Sequence, residues 1–229
     1  KAKGAVVELV IDSSQLMAAQ AHTLMKDDKL TDLLEPSLVD SLDKELKNNL
    51  GAGVETFNQW KPMNVSLVLS IVHMMRTNEA KLSKYTGPAL DAFIAADGKQ
   101  RGKTITALET IEEQMNLLFN LRTISQQTGD LKIFLRNKTV MLQLGDELLQ
   151  AWFNDDIESM NTIYKKNMEI SGEMDHLVKE RNLRWMKTMP ALIKKESQFI
   201  AVGALHLPGE YGLVDQLKQS GYTVTPVKL

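Results

Sequence analysis

Two kinds of hydrophobic spacing alternate along this chain. Short apolar runs of strand length stand near its start, middle and end. Between them lie long stretches with apolar residues every three or four positions, the helical spacing. The short runs are residues 5–11 (AVVELVI), 103–108 (KTITAL) and 199–205 (FIAVGAL). A continuous run, unlike an alternating one, marks a strand covered on both faces, as in α/β sheets. Residues 103–108 add β-branched alternation. The last run ends on His206 and is broken by Pro208-Gly209. Beyond it, Leu213, Val214 and Leu217 fall at helical spacing and Gly221 supplies a stop. Tyr222-Thr223-Val224-Thr225 then reads as another strand. Residues 199–227 thus read as strand–helix–strand, the short crossover expected of parallel pairing.

The helical stretches have their own punctuation. Asp12 or Ser13 can cap a helix running to Lys26. Residues 27–85 read as helical throughout and form a mainly helical insertion. Within it, a helix over 40–50 carries Leu42 and Leu46 on one face and stops at Gly51. Another covers 54–60 before Pro62, and an apolar one covers 63–76. Gly87-Pro88 is a break, and a helix over 89–96 is expected to end at Asp97-Gly98. Thr110-Ile111-Glu112-Glu113 is a capping box opening the next helix. Residues 129–153 read as one helix, and Asp155 and Asp156 as acids at the N-terminus of another. The expected fold is a single α/β domain over residues 1–229. Its mixed central sheet holds 5–11, 103–108, 199–205 and 222–227 and is flanked by helices, with the insertion at 27–85.

Composition narrows the function classes. At 43% hydrophobic and 24% charged residues the chain is globular in character. A net charge of -2, with no Lys/Arg stripe, speaks against a nucleic-acid partner. No apolar stretch approaches the roughly 18 residues of a transmembrane helix. The absence of cysteine rules out disulfides, thiolate metal sites and a Cys nucleophile. The chain opens on Lys1-Ala2-Lys3-Gly4 without a Met, as a processed or truncated product would.

The chemistry gathers at the ends of the apolar runs. Glu8, Glu109 and His206 each stand in or just after one. Ligands in α/β proteins collect at the carboxyl ends of strands. Carboxylates with a neutral imidazole suit Mn, Co, Fe or Zn. Arg181 and Asn182, on a helical stretch, can hold a carboxylate or stabilise an oxyanion. The plainer alternatives are a structural Glu8–Arg181 ion pair and a hydrogen-bonded core histidine at 206. Glu113 is first of all a cap, His73 a core residue, and His22 and His176 ordinary amphipathic-helix positions. There is no HExxH, no Gly-rich phosphate loop and no GxSxG elbow.

The segment from Ala201 to Gly209 (AVGALHLPG), followed by Gly212-Leu213 and Gly221-Tyr222-Thr223-Val224, resembles the C-terminal signature of the TraB/PrgY–GumN family, which includes the animal Tiki proteins. Three further segments agree in order: residues 5–9 (AVVEL), Leu108-Glu109-Thr110 with Glu113-Gln114, and Glu180-Arg181-Asn182 with Trp185. The resemblance implies an EreA/ChaN/Tiki-like α/β fold and a metal-dependent hydrolase, a peptidase acting on a peptide or protein substrate. It implies His206 as metal ligand, Glu8 as acidic ligand and general base, and Arg181 and Asn182 as catalytic residues. Gly203 and Glu109 are expected beside the site. Mn or Co is the expected metal, with Zn or Fe as alternatives. The family carries two GxxH motifs, whereas Gly203 to His206 is the only one here; the first is expected upstream of Lys1. Without it the metal is underligated, and the alternative is a non-catalytic peptide-binding or signalling module of the TraB/PrgY type. The resemblance also suggests an exported or envelope-associated bacterial protein. Oligomeric state is left open.

Overall fold

A computed structural model describes residues 2–10, 13–172 and 175–227. Its sheet has three strands: β1 (Gly4–Val7), β2 (Thr104–Ala107) and β3 (Gln198–Ala201), in the order β2-β1-β3. Both pairings are parallel; Gly4 lies opposite Thr104 and Gln198, and Val7 opposite Ala107 and Ala201. Central β1 is buried throughout, which explains its continuous apolar run. The flanking strands are edges, and Phe199 on β3 is 54% exposed.

Three expectations about the sheet are corrected. It is parallel, not mixed, among the described residues. Only the first part of the 199–205 run is strand: the ladder ends at Ala201, and Ala204–His206 turn into a 3₁₀ helix. Residues 222–227 form no strand. There the Tyr222 amide turns back to the Leu217 carbonyl (3.0 Å), and Val227 is 81% exposed, so the β-branched alternation meets no strand to pair with. Ile11 and Asp12, assigned above to a strand end and a cap, lie outside the described residues.

Thirteen α-helices accompany this sheet among the described residues. They are α1 (Ser13–Ala21), α2 (Leu30–Leu33), α3 (Pro36–Leu50), α4 (Pro62–Thr77), α5 (Glu79–Leu82), α6 (Leu90–Gln100), α7 (Ile111–Phe119), α8 (Ile124–Arg136), α9 (Lys138–Phe153), α10 (Ile157–Ser171), α11 (Lys179–Trp185), α12 (Met189–Lys195) and α13 (Leu213–Gln219). Leu30, Leu42, Leu46, Val65, Leu69, Leu131 and Phe134 join α2, α3, α4 and α8 in one apolar cluster. Trp185, Met189 and Leu213 form a second, packed against Ile200 and Val202 beside the sheet. None of the helices described is long and apolar enough to cross a membrane.

Local signals account for most boundaries. Pro36 and Pro62 open α3 and α4, where a missing N–H costs nothing, and Gly51 closes α3 in the left-handed conformation (φ 79°). Thr110 and Glu113 complete the expected capping box of α7, and Asp156 caps α10 through the Ser159 amide. The apolar stretch 129–153 is two helices, α8 and α9, which meet at Asn137. Helix α6 runs through Asp97-Gly98 instead of stopping there. Gly98 is a contact, not a terminator: a Cβ on it would stand 2.7 Å from Ile105 Cδ1 and 3.6 Å from Ala5 Cβ. Its bare backbone lets α6 lie against β1 and β2.

Candidate functional site

The sheet ladder extends just past its last paired residues. The Leu108 amide reaches the Val7 carbonyl (2.9 Å) and the Glu109 amide reaches the Glu8 carbonyl (3.1 Å). Two acidic residues 101 positions apart are thereby set side by side at the carboxyl end of the sheet. The turn after β3 brings in Gly203 and His206, and α11 supplies Arg181, Asn182 and Trp185. All the residues singled out from the sequence as site candidates meet here.

Arg181 is the hub. Its Nη2 donates to Glu8 Oε2 (2.6 Å), and its Nε and Nη2 both donate to Glu109 (3.1 and 2.5 Å). Its Nη1 donates to His206 Nε2 (3.0 Å) and to the Leu177 carbonyl (3.1 Å). The predicted Glu8–Arg181 ion pair is therefore present, but as one edge of a larger network. Glu109 also accepts from Arg184 Nη2 (2.7 Å) and Gln114 Nε2 (3.1 Å), and its side chain is fully buried. Two carboxylates face two guanidiniums, so the cluster is close to charge-balanced, as burial requires. The Gly203 amide donates to Glu8 Oε1. A Cβ at Gly203 would lie 3.1 Å from that same oxygen, so glycine gives the carboxylate room to approach the chain.

His206 is 5% exposed and held from both sides. Its Nδ1 lies 2.7 Å from Asn182 Oδ1. The Asn182 amide nitrogen donates to the carbonyls of His206 (3.1 Å) and Tyr211 (2.7 Å), which leaves Oδ1 to accept. Nδ1 therefore carries the proton and Nε2 the lone pair. Burial, aided by the Arg181 charge, pushes the His206 pKa down to about 3, so the imidazole is neutral. The Trp185 ring packs on it at 4.5 Å between centroids. His206 Nε2 stands 3.9 Å from Glu8 Oε1.

Two residues near the cluster were not singled out from the sequence. Arg184 carries part of the Glu109 charge, and its spacing of three from Arg181 on a helix was the available signal. Asp91, in the first turn of α6, has its carboxyl held above the usual range by burial and, second, by the Glu8 charge. The remaining histidines lie elsewhere. His73 bonds Asp146 (3.0 Å), His22 bonds Glu112 (3.1 Å), and His176 is buried on a 3₁₀ turn.

The donor set can be tested against a divalent ion. A neutral imidazole with its lone pair on Nε2, converging on a carboxylate, is the right kind of donor pair. In number it falls short: no group of three metal-ligating side chains occurs among the described residues. Arg181 also occupies the His206 lone pair, so an ion at Nε2 requires the guanidinium to withdraw toward Glu109.

The fold is a mostly helical α/β arrangement around a small parallel sheet, with a carboxylate–imidazole–guanidinium cluster at its carboxyl edge. The comparisons with known proteins narrow this. The model of the TraB/PrgY/gumN family matches residues 1–226, and the chain belongs to that family. It is 25% identical over 194 residues to "Metalloprotease TIKI2" of Danio rerio, a match covering 72% of this chain and 37% of the relative. It is 23% identical over 199 residues to "Metalloprotease TIKI homolog" of Amphimedon queenslandica, covering 76% and 38%. The chain thus spans well under half the length of these curated relatives. No solved structure matches it.

Proposed function

We propose that this chain carries the carboxylate–histidine part of a metal-dependent hydrolase that acts on a peptide or protein substrate. One observation carries the reading. A histidine held neutral, with its lone pair on Nε2, stands 3.9 Å from the Glu8 carboxylate in a chain whose relatives are named metalloproteases. His206 Nε2 and Glu8 would hold the ion, Mn or Co before Zn or Fe, with further ligands from outside the described residues. Such an ion polarises a carbonyl and lowers the pKa of a water.

The chain's own residues supply the rest. Glu8 accepts a proton from the attacking water through Oε1, the oxygen nearer His206. Arg181, freed from Nε2, donates to the developing oxyanion. Asn182 acts through His206: with its amide committed to the imidazole and two carbonyls, it fixes the tautomer. Glu109, with Arg184, is the anchor that keeps Arg181 at the site.

The second reading, a peptide-binding or signalling module without catalysis, is favoured by two observations. Arg181 closes the imidazole lone pair, and the described residues contain no three-ligand group. The separating experiment is a peptidase assay of the full-length protein, stripped with EDTA and reloaded with Mn²⁺ or Co²⁺. Glu8→Gln and His206→Ala are each expected to lose at least about 100-fold in rate. Full activity in either variant overturns the hydrolase assignment. Saturable peptide binding without product, in every metal state, establishes the module.

A further inference from the structure

A cavity of about 540 Å³ borders the turn that carries His206. One wall is α10, through Tyr164 and Met168; the other is the loop from Leu205 to Gly212, through Leu205, Pro208 and Tyr211, with Val178 between them. These side chains are apolar or aromatic. The charged groups at the cavity balance, two lysines (Lys165, Lys179) against two glutamates (Glu169, Glu210). Such a lining favours no charged ligand, and its volume falls within the range of built ligand pockets.

The loop is constructed, not slack. Gly209 takes a left-handed φ of 85°, and a Cβ on it would approach Asn161 Oδ1 on α10 to 3.0 Å. A Cβ on Gly212 would stand 2.2 Å from the Pro208 carbonyl oxygen. The loop is also tied to the site. Asn182 donates to the Tyr211 carbonyl at 2.7 Å while accepting from His206 Nδ1 at 2.7 Å. One amide therefore joins the cavity wall to the imidazole. Leu205 and His206 are consecutive, and an extended peptide advances about 3.3–3.6 Å per residue. A peptide passing His206 reaches the cavity within a few residues.

We propose that this cavity is the substrate's side-chain subsite and that it takes one large apolar residue, Phe, Trp, Leu or Met, of a peptide. The proposal rests on the peptide-substrate reading above, not on hydrolysis, since it requires binding only. Filling the cavity presses on Tyr211 and so on the Asn182–His206 pair, which lets a side chain several ångströms away adjust the imidazole.

The test is enrichment of a random decapeptide mixture on the immobilised full-length protein in EDTA, followed by sequencing of the retained pool. Large apolar residues are expected to be enriched about tenfold over Ser at one position. Met168→Trp, which narrows the cavity, should weaken that enrichment and shift it toward smaller apolar residues. Met168→Ala, which enlarges it, should shift the preference toward Trp; it also serves as the folded control if the larger side chain disturbs α10. No positional enrichment, or an enrichment unchanged by both variants, overturns the proposal. If enriched peptides then stay uncleaved after Mn²⁺ or Co²⁺ is added, the hydrolase reading fails while the subsite stands.

Discussion

Asn182→Ala tests how the site is held together. Asn182 is fully buried and its side chain makes three hydrogen bonds, all to groups of the His206 loop. Truncation leaves the His206 Nδ1–H and the His206 carbonyl without partners in a closed environment, at about 1–3 kcal/mol each. The Tyr211 carbonyl borders the cavity, where water can replace the amide, so its loss adds about 1 kcal/mol or less. The expected cost is about 2–7 kcal/mol, a large part of the roughly 5–15 kcal/mol that holds a domain together. Urea unfolding followed by circular dichroism measures it as a shift in midpoint. Asn182→Asp separates the parts, since it keeps the acceptor for Nδ1–H and loses both donations. In ¹⁵N spectra the wild-type His206 should show a protonated Nδ1 and an unprotonated Nε2. A cost below about 1 kcal/mol for Asn182→Ala, or an unprotonated Nδ1 in the wild type, refutes the reasoning.

Three further outcomes follow from the same geometry. Arg181→Met leaves Glu8 and Glu109 without their shared cation and should destabilise the fold by about 3–5 kcal/mol at pH 7 in chemical denaturation; a change under about 1 kcal/mol means that the cluster is well solvated. His206 is neutral in the fold down to about pH 3, while an unfolded histidine takes up its proton near pH 6.5. The wild type should therefore lose a few kcal/mol relative to His206→Gln as pH falls from about 6.5 toward 3; parallel stability curves would contradict this. Gly212→Ala places a Cβ 2.2 Å from the Pro208 carbonyl oxygen and should cost about 2 kcal/mol or more in melting experiments, because backbone, not a flexible side chain, must move.

The legible parts of this fold were those written in local chemistry. Two continuous runs and the β-branched alternation at 103–108 located the three described strands, and the capping box at Thr110 and the glycine at 51 located helix ends. Errors came where tertiary contacts override local preference. Residues 222–227 have strand composition and no neighbour to pair with, and propensity carries no information about neighbours. Gly98 looked like a stop because a glycine serving close helix–sheet approach has the same letter as one ending a helix. At the site, Glu8, Glu109, Arg181, Asn182 and His206 could be picked out by residue type and position. Their mutual arrangement could not: that Arg181 faces both carboxylates and the imidazole, and that Asn182 serves the imidazole, depends on side-chain distances across segments up to 173 residues apart.

The central strand has a temporal meaning. β1 pairs with a strand about 100 residues later and another nearly 200 residues later. The helical cluster from Met25 to Leu135 needs neither of these strands and can condense while the rest of the chain is still being made. The sheet, with its long-range pairing, is the slow event. During synthesis β1 can gain α6 and β2 after about 100 further residues but β3 only when residue 201 has left the ribosome, and a product stopped short of that point lacks the third strand and the His206 turn. Glu8 is made well before its partners, and it meets Arg181 and His206 only when those later segments arrive.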